Sequence, residues 1–474
     1  MPARKLSRRE VLKLVGTTTV TGTILAACGG APTSTQPTQA PANTAAAVNT
    51  TTPANTATTA PVATAAAAGP AKIVLMYNAN EISDAEIADF NKQYAPLKLE
   101  RIDTDLVKFF SMVAAGTQVD GIRLQGPNIP AYVTKNVCLD LTDFFANSQE
   151  LKLDDLMPVN DLFVYKGKRY GMVKDWSPDM SIFINKKLWA AAGVAIPDSP
   201  TKMITYQEWR DMSGKLTKKQ GDQIIIWGTD FQPLNNFLFW ATTTWNPPTT
   251  LFSPNFDKLI LRGNKDTLDA IKFFTDWEKE KGVPSVIAPA ATQGGWSGSD
   301  WQAAQASSVQ YGYWFSGMAE SDKVNGDDVM MMAAPKWGPN YTNPCVSGTG
   351  MFLNAKTPNK DAAWKMFQWF MAEEPAHNRA KSGWGVPGLR SLMPLMPQDK
   401  PWRKQVYDQV QWEIKNTKVA IMQFTPYTYP DAFTTTWSKY HDQYIKGTMS
   451  FDDFVNNVEK EVNAAIQDGI SASQ

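Results

Sequence analysis

From residue 72 onward, short apolar runs alternate with amphipathic stretches, and most are bounded by a recognisable cap or turn. KIVLMYN, Lys72 to Asn78, is an apolar run ending in a loop, the form of a strand buried on both faces. Ser83-x-x-Glu86 is a capping box, in which hydroxyl and carboxylate satisfy each other's backbone amides. It predicts a helix with Ile87, Phe90 and Tyr94 on one face, closed by Pro96. LKLERID predicts a second strand, and Leu106, Phe109, Phe110 and Val113 mark a helix ending at Gly116. Asp120 to Gly126 predicts a third strand, followed by a short helix in NIPAYVTKN. Strand and helix alternate, so a parallel sheet is expected, with ligand contacts at the carboxyl ends of its strands. Those ends present Asn78, Asn80, Gln125 and Gly126, which are either polar cleft residues or ordinary turn residues.

The pattern changes at Tyr165 to Trp189, YKGKRYGMVKDWSPDMSIFINKKLW. Lys166-Gly167 between two tyrosines reads as a hairpin tip, because Gly takes the positive φ that a tight turn needs. An extended run leads to Trp176, Ser177 and Pro178, a strand ends at Asn185, and the helix KKLWAAAG stops at Gly193. Thr205-x-x-Glu208 is a second capping box, QIIIWGTD reads as a buried strand, and Thr267 to Lys281 as a long helix with Leu268, Ile271, Phe274 and Trp277 inward.

The segment Y-K-G-K-R-Y-G…N-K-K-L-W…A-G resembles the first lobe-to-lobe passage of family 1 extracellular solute-binding proteins, the maltose-binding-protein-like receptors of ABC importers. Asp120-Gly121-Ile122 and Cys138-Leu139-Asp140-Leu141-Thr142 are similar to the family's short strand and the turn after it. WQAAQASSVQYGYW resembles its return strand, although Ala306-Ser307 stands where the family has Gly-Lys. CVSGTGMFLNAKTPNKDAAWKMFQWFMAEE resembles the third crossing and following helix, and YIKGTMSFDDFVNNVEKEVNAAIQ the terminal helix. The resemblance implies an α/β fold: a two-lobe periplasmic-binding-protein (type II, Venus-flytrap) fold with three interlobe crossings. It implies a first lobe of 71–176 plus 312–346 and a second of 177–311 plus 347–474.

Composition and charge narrow the chemistry. Basic and acidic residues number 46 each; five basic residues and one acid precede Cys28, leaving 41 basic and 45 acidic in the remainder. A mildly acidic body argues against nucleic acid. With three Cys and two His in 474 residues, a His/Cys metal site or a His-dependent triad is not expected, nor is a cofactor. Residues 1–27 resemble a twin-arginine export signal, with Arg8-Arg9 before a Thr-rich apolar stretch, and Leu25-Ala26-Ala27-Cys28 matches a lipobox in which Cys28 is acylated. Residues 28–70 carry no charge and no aromatic ring, so they form a tether spanning roughly 35 Å rather than a core. Lipid-anchored localisation at the outer face of the cytoplasmic membrane follows. Cys138 and Cys345 are left either to pair or to stay as separate buried thiols.

All 17 Trp lie at or after Trp176. Trp209, Trp277, Trp364, Trp369 and Trp412 sit in helical patterns that suit a core. Trp176, Trp240, Trp245, Trp296, Trp314, Trp337 and Trp384 fall beside turns or crossings, where a flat ring can either fill a core or stack on a sugar. Among these the resemblance singles out Trp176, Trp314 and Trp384. Asp175, Ser177, Asp179 and Asn236 supply polar partners nearby, and Ser347, Gly348 and Thr349 lie on the crossing after Cys345. The expected function is a monomeric, non-enzymatic receptor holding a mono- or oligosaccharide for an ABC permease. Trp176→Ala is expected to weaken binding by about 1–3 kcal/mol in a chain that still folds. The alternatives are a cationic-amine receptor, a glycosidase using a carboxylate pair, and an adhesion or sensor lipoprotein.

Overall fold

The structure, a computed structural model, describes residues 71–231, 251–292, 297–417, 421–422 and 424–473. The export signal, Cys28 and the tether lie outside the described residues, as do Asn236, Trp240, Trp245 and Trp296. Ten strands form the two larger sheets: β1 (Lys72–Met76), β2 (Lys98–Ile102), β3 (Gly121–Gln125), β4 (Gly171–Trp176), β5 (Ile182–Asn185), β6 (Asp230–Phe231), β7 (Ser308–Gln310), β8 (Val329–Met332), β9 (Thr349–Leu353) and β10 (Val386–Pro387). The first sheet has the order β10-β4-β9-β3-β1-β2 and the second β6-β7-β5-β8.

Local sequence accounts for how the first elements begin. Glu86 N–H donates to Ser83 Oγ at 3.2 Å and Ser83 N–H to Glu86 Oε2 at 2.7 Å, so both halves of the capping box close ahead of the helix Asp84–Gln93. Thr205 and Glu208 repeat the device before Tyr206–Leu216. The hairpin tip has positive φ at both Lys166 and Gly167, the backbone of a two-residue primed turn.

The first sheet is mixed, and this corrects the all-parallel expectation. β1 pairs parallel with β2 and β3, but β9 runs antiparallel to both β3 and β4, and β10 antiparallel to β4. Parallel pairing needs a helical crossover between strands. β1, β2 and β3 have one, whereas β9 enters from the other lobe and so is free to run the opposite way. QIIIWGTD also divides. Gln223–Ile226 forms a small hairpin with Lys218–Gln220, and only Asp230–Phe231 joins the second sheet.

Among the described residues the chain passes between the lobes three times: at 177–181, at 333–348 and at 388–400. The second and third passages lie later than the resemblance implied. β7 does not return to the first lobe; it pairs antiparallel with β5, and β8 pairs on β5's other side before the chain crosses. Residues 312–332 therefore stay with the second lobe. Conversely β9, the helices Lys360–Ala372 and Glu374–Ser382, and β10 belong with the first. From Pro401 the chain is again on the second lobe. There Gln405 exchanges hydrogen bonds with the backbone of Met331, N–H to Oε1 at 3.0 Å and Nε2 to O at 2.8 Å, satisfying the buried outer edge of β8, where no further strand pairs among the described residues.

Trp189, Trp209 and Trp277 fill the second-lobe core with the helices Lys265–Lys279, Pro430–Ile445 and Phe451–Ser473. Trp364 and Trp369 fill the first-lobe core. Trp412 and Trp337 are half-buried. Cys138 and Cys345 are buried, free thiols, Cys138 beside Asn354 and Cys345 beside Ile421.

Candidate functional site

The sheet registers bring the candidate residues together. Asn78 and Asn80 follow β1, Gln125 ends β3, and Asp175 and Trp176 end β4, so all lie at one edge of the first sheet. Because β9 is antiparallel, its first residue meets the others' last: Thr349 is paired with Gln125 on one side and with Asp175 on the other. The first crossing adds Ser177 and Asp179, the second Val346 and Ser347. Together with Glu81, Arg123, Trp314, Arg379 and Trp384 they line a cavity of about 320 Å³.

Of the expected residues, Asn78, Asn80, Gln125, Asp175, Trp176, Ser177, Asp179, Trp314, Ser347, Thr349 and Trp384 line this cavity. Gly126 and Gly348 do not. Gly126 N–H donates to the carbonyls of Ser347 (3.1 Å) and Gly348 (2.9 Å), and a Cβ on it would meet Leu162 Cβ at 2.4 Å. Gly348 has φ +51°. Both glycines shape the backbone behind the cavity wall.

The three indoles differ. Trp176 is 4 % exposed, packs in the core and donates its ring N–H to the Pro387 carbonyl at 3.3 Å. Its ring also lines the cavity, so Trp176 stands in the core and at the site at once. Trp314 and Trp384 are half-buried and near-parallel, with centroids 6.2 Å apart and planes 14° apart. Trp314 comes from the second lobe, its backbone N–H donating to Ser177 Oγ at 3.0 Å. Trp384 comes from the first and rests against Gly317, where a Cβ would approach its ring to 2.9 Å.

The first-lobe wall is ionic. Arg123 Nε donates to Glu81 Oε2 at 2.5 Å and its Nη2 to Oε1 at 3.1 Å. Arg379 Nε donates to Asp175 Oδ2 at 2.8 Å, and its Nη2 lies 3.6 Å from Glu81 Oε1. Burial opposes the charge on each guanidinium, yet Glu81 and Asp175 hold both pKa values above the ordinary arginine range. Lys174, behind the wall, donates to the Glu81 carbonyl at 2.9 Å and lies 4.0 Å from the Phe370 ring centre. Burial, aided by Arg379, lowers its pKa to about 8.

The crossings are built differently. Asp179 Oδ2 accepts the Val346 N–H at 2.8 Å, and Asp179 N–H donates to the Pro344 carbonyl at 2.9 Å. Asn343 accepts the Met180 N–H at 2.8 Å and donates to Ser181 Oγ at 2.9 Å. Burial pushes the Asp179 pKa up to about 7, against the opposing pull of the Val346 and Ser347 donors.

Residues 85–406 match the model of a family described as bacterial extracellular solute-binding protein. The chain belongs to that family. No curated protein sequence matches the chain. Solved structures share the two-lobe fold at low identity. An ABC substrate-binding protein from Listeria monocytogenes in complex with cycloalternan has a TM-score of 0.70 at 19 % identity, over 84 % of this chain and 99 % of that one. The GacH receptor of Streptomyces glaucescens, described unliganded and with acarbose, gives 0.65 at 13 %, over 84 % and 99 %. The maltose/maltodextrin-binding domain MalE from Bdellovibrio bacteriovorus, bound to maltotriose, gives 0.63 at 15 %, over 85 % and 100 %.

In this solute-binding protein the cavity has four lining residues that the sequence reading did not name: Glu81, Arg123, Val346 and Arg379. Arg123 carried a signal, being a charge at a half-buried position inside the apolar run GIRLQ. Glu81 lies two residues before the Ser83 cap, and Arg379 is a basic residue in the last turn of the helix Glu374–Ser382. Nothing local distinguishes them, because what places Arg379 at the wall is a contact with Asp175 204 positions earlier.

Proposed function

We propose that this protein captures a mono- or oligosaccharide in the cleft between its lobes, without turning it over, and delivers it to the permease of an ABC importer. It does so as a monomer, from a lipid on Cys28 at the outer face of the cytoplasmic membrane. The observation that carries the ligand class is the composition of the cavity. Two near-parallel indoles from opposite lobes stand beside amides and hydroxyls, and the wall's carboxylates are matched by guanidiniums. Indole faces suit the C–H faces of pyranose rings, and a balanced set of donors and acceptors suits neutral hydroxyls. Of the lining carboxyls, Glu81 and Asp175 are already engaged by Arg123 and Arg379, and Asp179, the one without a cation, has its pKa pushed up by burial to about 7, which disfavours the fixed anion a cationic amine would need. That the structural neighbours are described with cycloalternan, acarbose and maltotriose supports the same class. Closure about the three crossings would bury the ligand and mark the protein as occupied.

Isothermal titration against cycloalternan, mannobiose, mannotriose, tagatose, acarbose and maltotriose, with a parallel set of amines, tests this reading. Saturable heat from a saccharide is expected; heat from amines alone overturns it.

A further inference from the structure

Asp179 sits where cleft and crossings meet. It is 1 % exposed and lines the cavity, and its Oδ2 accepts the amide of Val346 from the second crossing. Its Oδ1 is buried and has no hydrogen-bond partner among the described residues. The backbone is held close to it: a Cβ on Gly312 would come within 2.6 Å of Oδ1, so only glycine fits there. A buried oxygen left without a donor is costly to keep. Here it borders a cavity whose proposed occupants carry hydroxyl donors.

No described cation forms an ion pair with the Asp179 carboxyl. The Cys345 thiol, its own pKa raised by burial and by Asp179, faces it from the second crossing. Asp175 lies on the cavity wall, paired with Arg379. Glu413, on the helix Pro401–Asn416, is reached only through Ser181. Lacking a counter-charge, the carboxyl is held in its acid form by burial up to about pH 7.

Building on the proposed function, we infer that Asp179 couples ligand, crossing and proton: a ligand hydroxyl donating to Oδ1 fixes the ionised carboxylate, which through Oδ2 grips the Val346 amide. The acid form already carries a proton, so below about pH 7 that proton leaves to solvent as the hydroxyl hydrogen bond forms. Binding is thereby linked to proton release, and the residue that reads the ligand also ties the first crossing to the second.

The test uses the saccharide of the panel that binds, titrated in buffers of different ionisation enthalpy at about pH 6 and about pH 8.5. At the lower pH close to one proton is released per ligand bound and affinity falls about tenfold; at the higher pH release is near zero. Asp179→Asn makes affinity flat with pH and abolishes the release. Wild-type binding with no proton released, or with uptake, overturns the inference without any variant having to fold. Proton release persisting in Asp179→Asn overturns it as well. If no saccharide gives heat, the functional reading has failed, and thermal melts of the ligand-free protein still judge Asp179. Wild-type stability should fall as pH rises from about 4 to about 7, and that of Asp179→Asn should fall less; parallel curves overturn the inference.

Discussion

On the first-lobe wall of the cleft, Glu81 and Asp175 are held by Arg123 and Arg379, whereas at the crossings Asp179 and Glu413 meet only neutral donors. Glu413 accepts the Ala334 N–H at 3.1 Å and the Tyr341 hydroxyl at 3.2 Å to each oxygen, while Ser181 Oγ lies at 3.4 Å. Burial raises its pKa, in opposition to those donors. All four carboxyls are buried or nearly so, so the difference lies in their partners and not in their exposure. Losing one partner of a buried ion pair costs about 3–5 kcal/mol, while a hydrogen bond between neutral groups is worth about 0.5–1.5 kcal/mol net. The wall is therefore expensive to rearrange and the crossings are cheap. That is the division a two-lobe receptor needs, with a fixed platform on one side and joints that exchange partners on the other.

The strongest challenge to this contrast is Glu81→Gln. It leaves Arg123 and Arg379 buried with one carboxylate fewer, and the expected loss of folding stability is about 3–5 kcal/mol, read by urea unfolding. A loss below about 1 kcal/mol would show the wall to be as adaptable as the crossings. The indoles sharpen the contrast next. Trp176→Ala removes a 4 % exposed ring from the core and should lower stability by about 3–5 kcal/mol. Trp384→Ala, at a half-buried ring facing Trp314, should leave most stability intact and weaken saccharide binding by about 1–3 kcal/mol. Equal stability losses for the two would place Trp384 in the core with Trp176.

These variants also mark how far the sequence could be read. Capping boxes, the primed turn at Lys166-Gly167 and the apolar runs are encoded within a few residues, so the elements were legible, whereas the two-lobe, three-crossing plan was implied by the resemblance to solute-binding proteins. Where the second and third crossings fall was not legible, because β7 and β8 both pair with β5 and their patterns do not say which sheet a strand will join. In the cleft, strand-end polar residues were legible since strand ends converge in such sheets. Their register with Thr349 was not, as it depends on β9 arriving antiparallel from the other lobe. Arg379 was invisible for the same reason. The burial of Trp176 was not legible either: a place beside a crossing leaves core and cleft both open, and it is the pairing of β10 with β4 that packs the ring while it still lines the cavity.

The smallest effect expected comes from Glu413→Gln, and its interest lies in pH dependence. The Glu413 pKa is raised in the folded protein, so the folded state holds a proton that the unfolded chain releases above about pH 4.3. Its contribution to stability is therefore complete below that value and is lost as pH rises through the folded pKa. Gln keeps the buried site neutral at every pH and retains one oxygen for the Ala334 amide, at the expense of the second acceptor facing Tyr341. Near pH 4 the variant should lie within about 1 kcal/mol of wild type, and it should gain on wild type as pH rises. Paired thermal melts across that range decide the matter. A constant gap would mean that Glu413 ionises in the fold as readily as in the unfolded chain, and the crossings would then have to be counted with the charged wall.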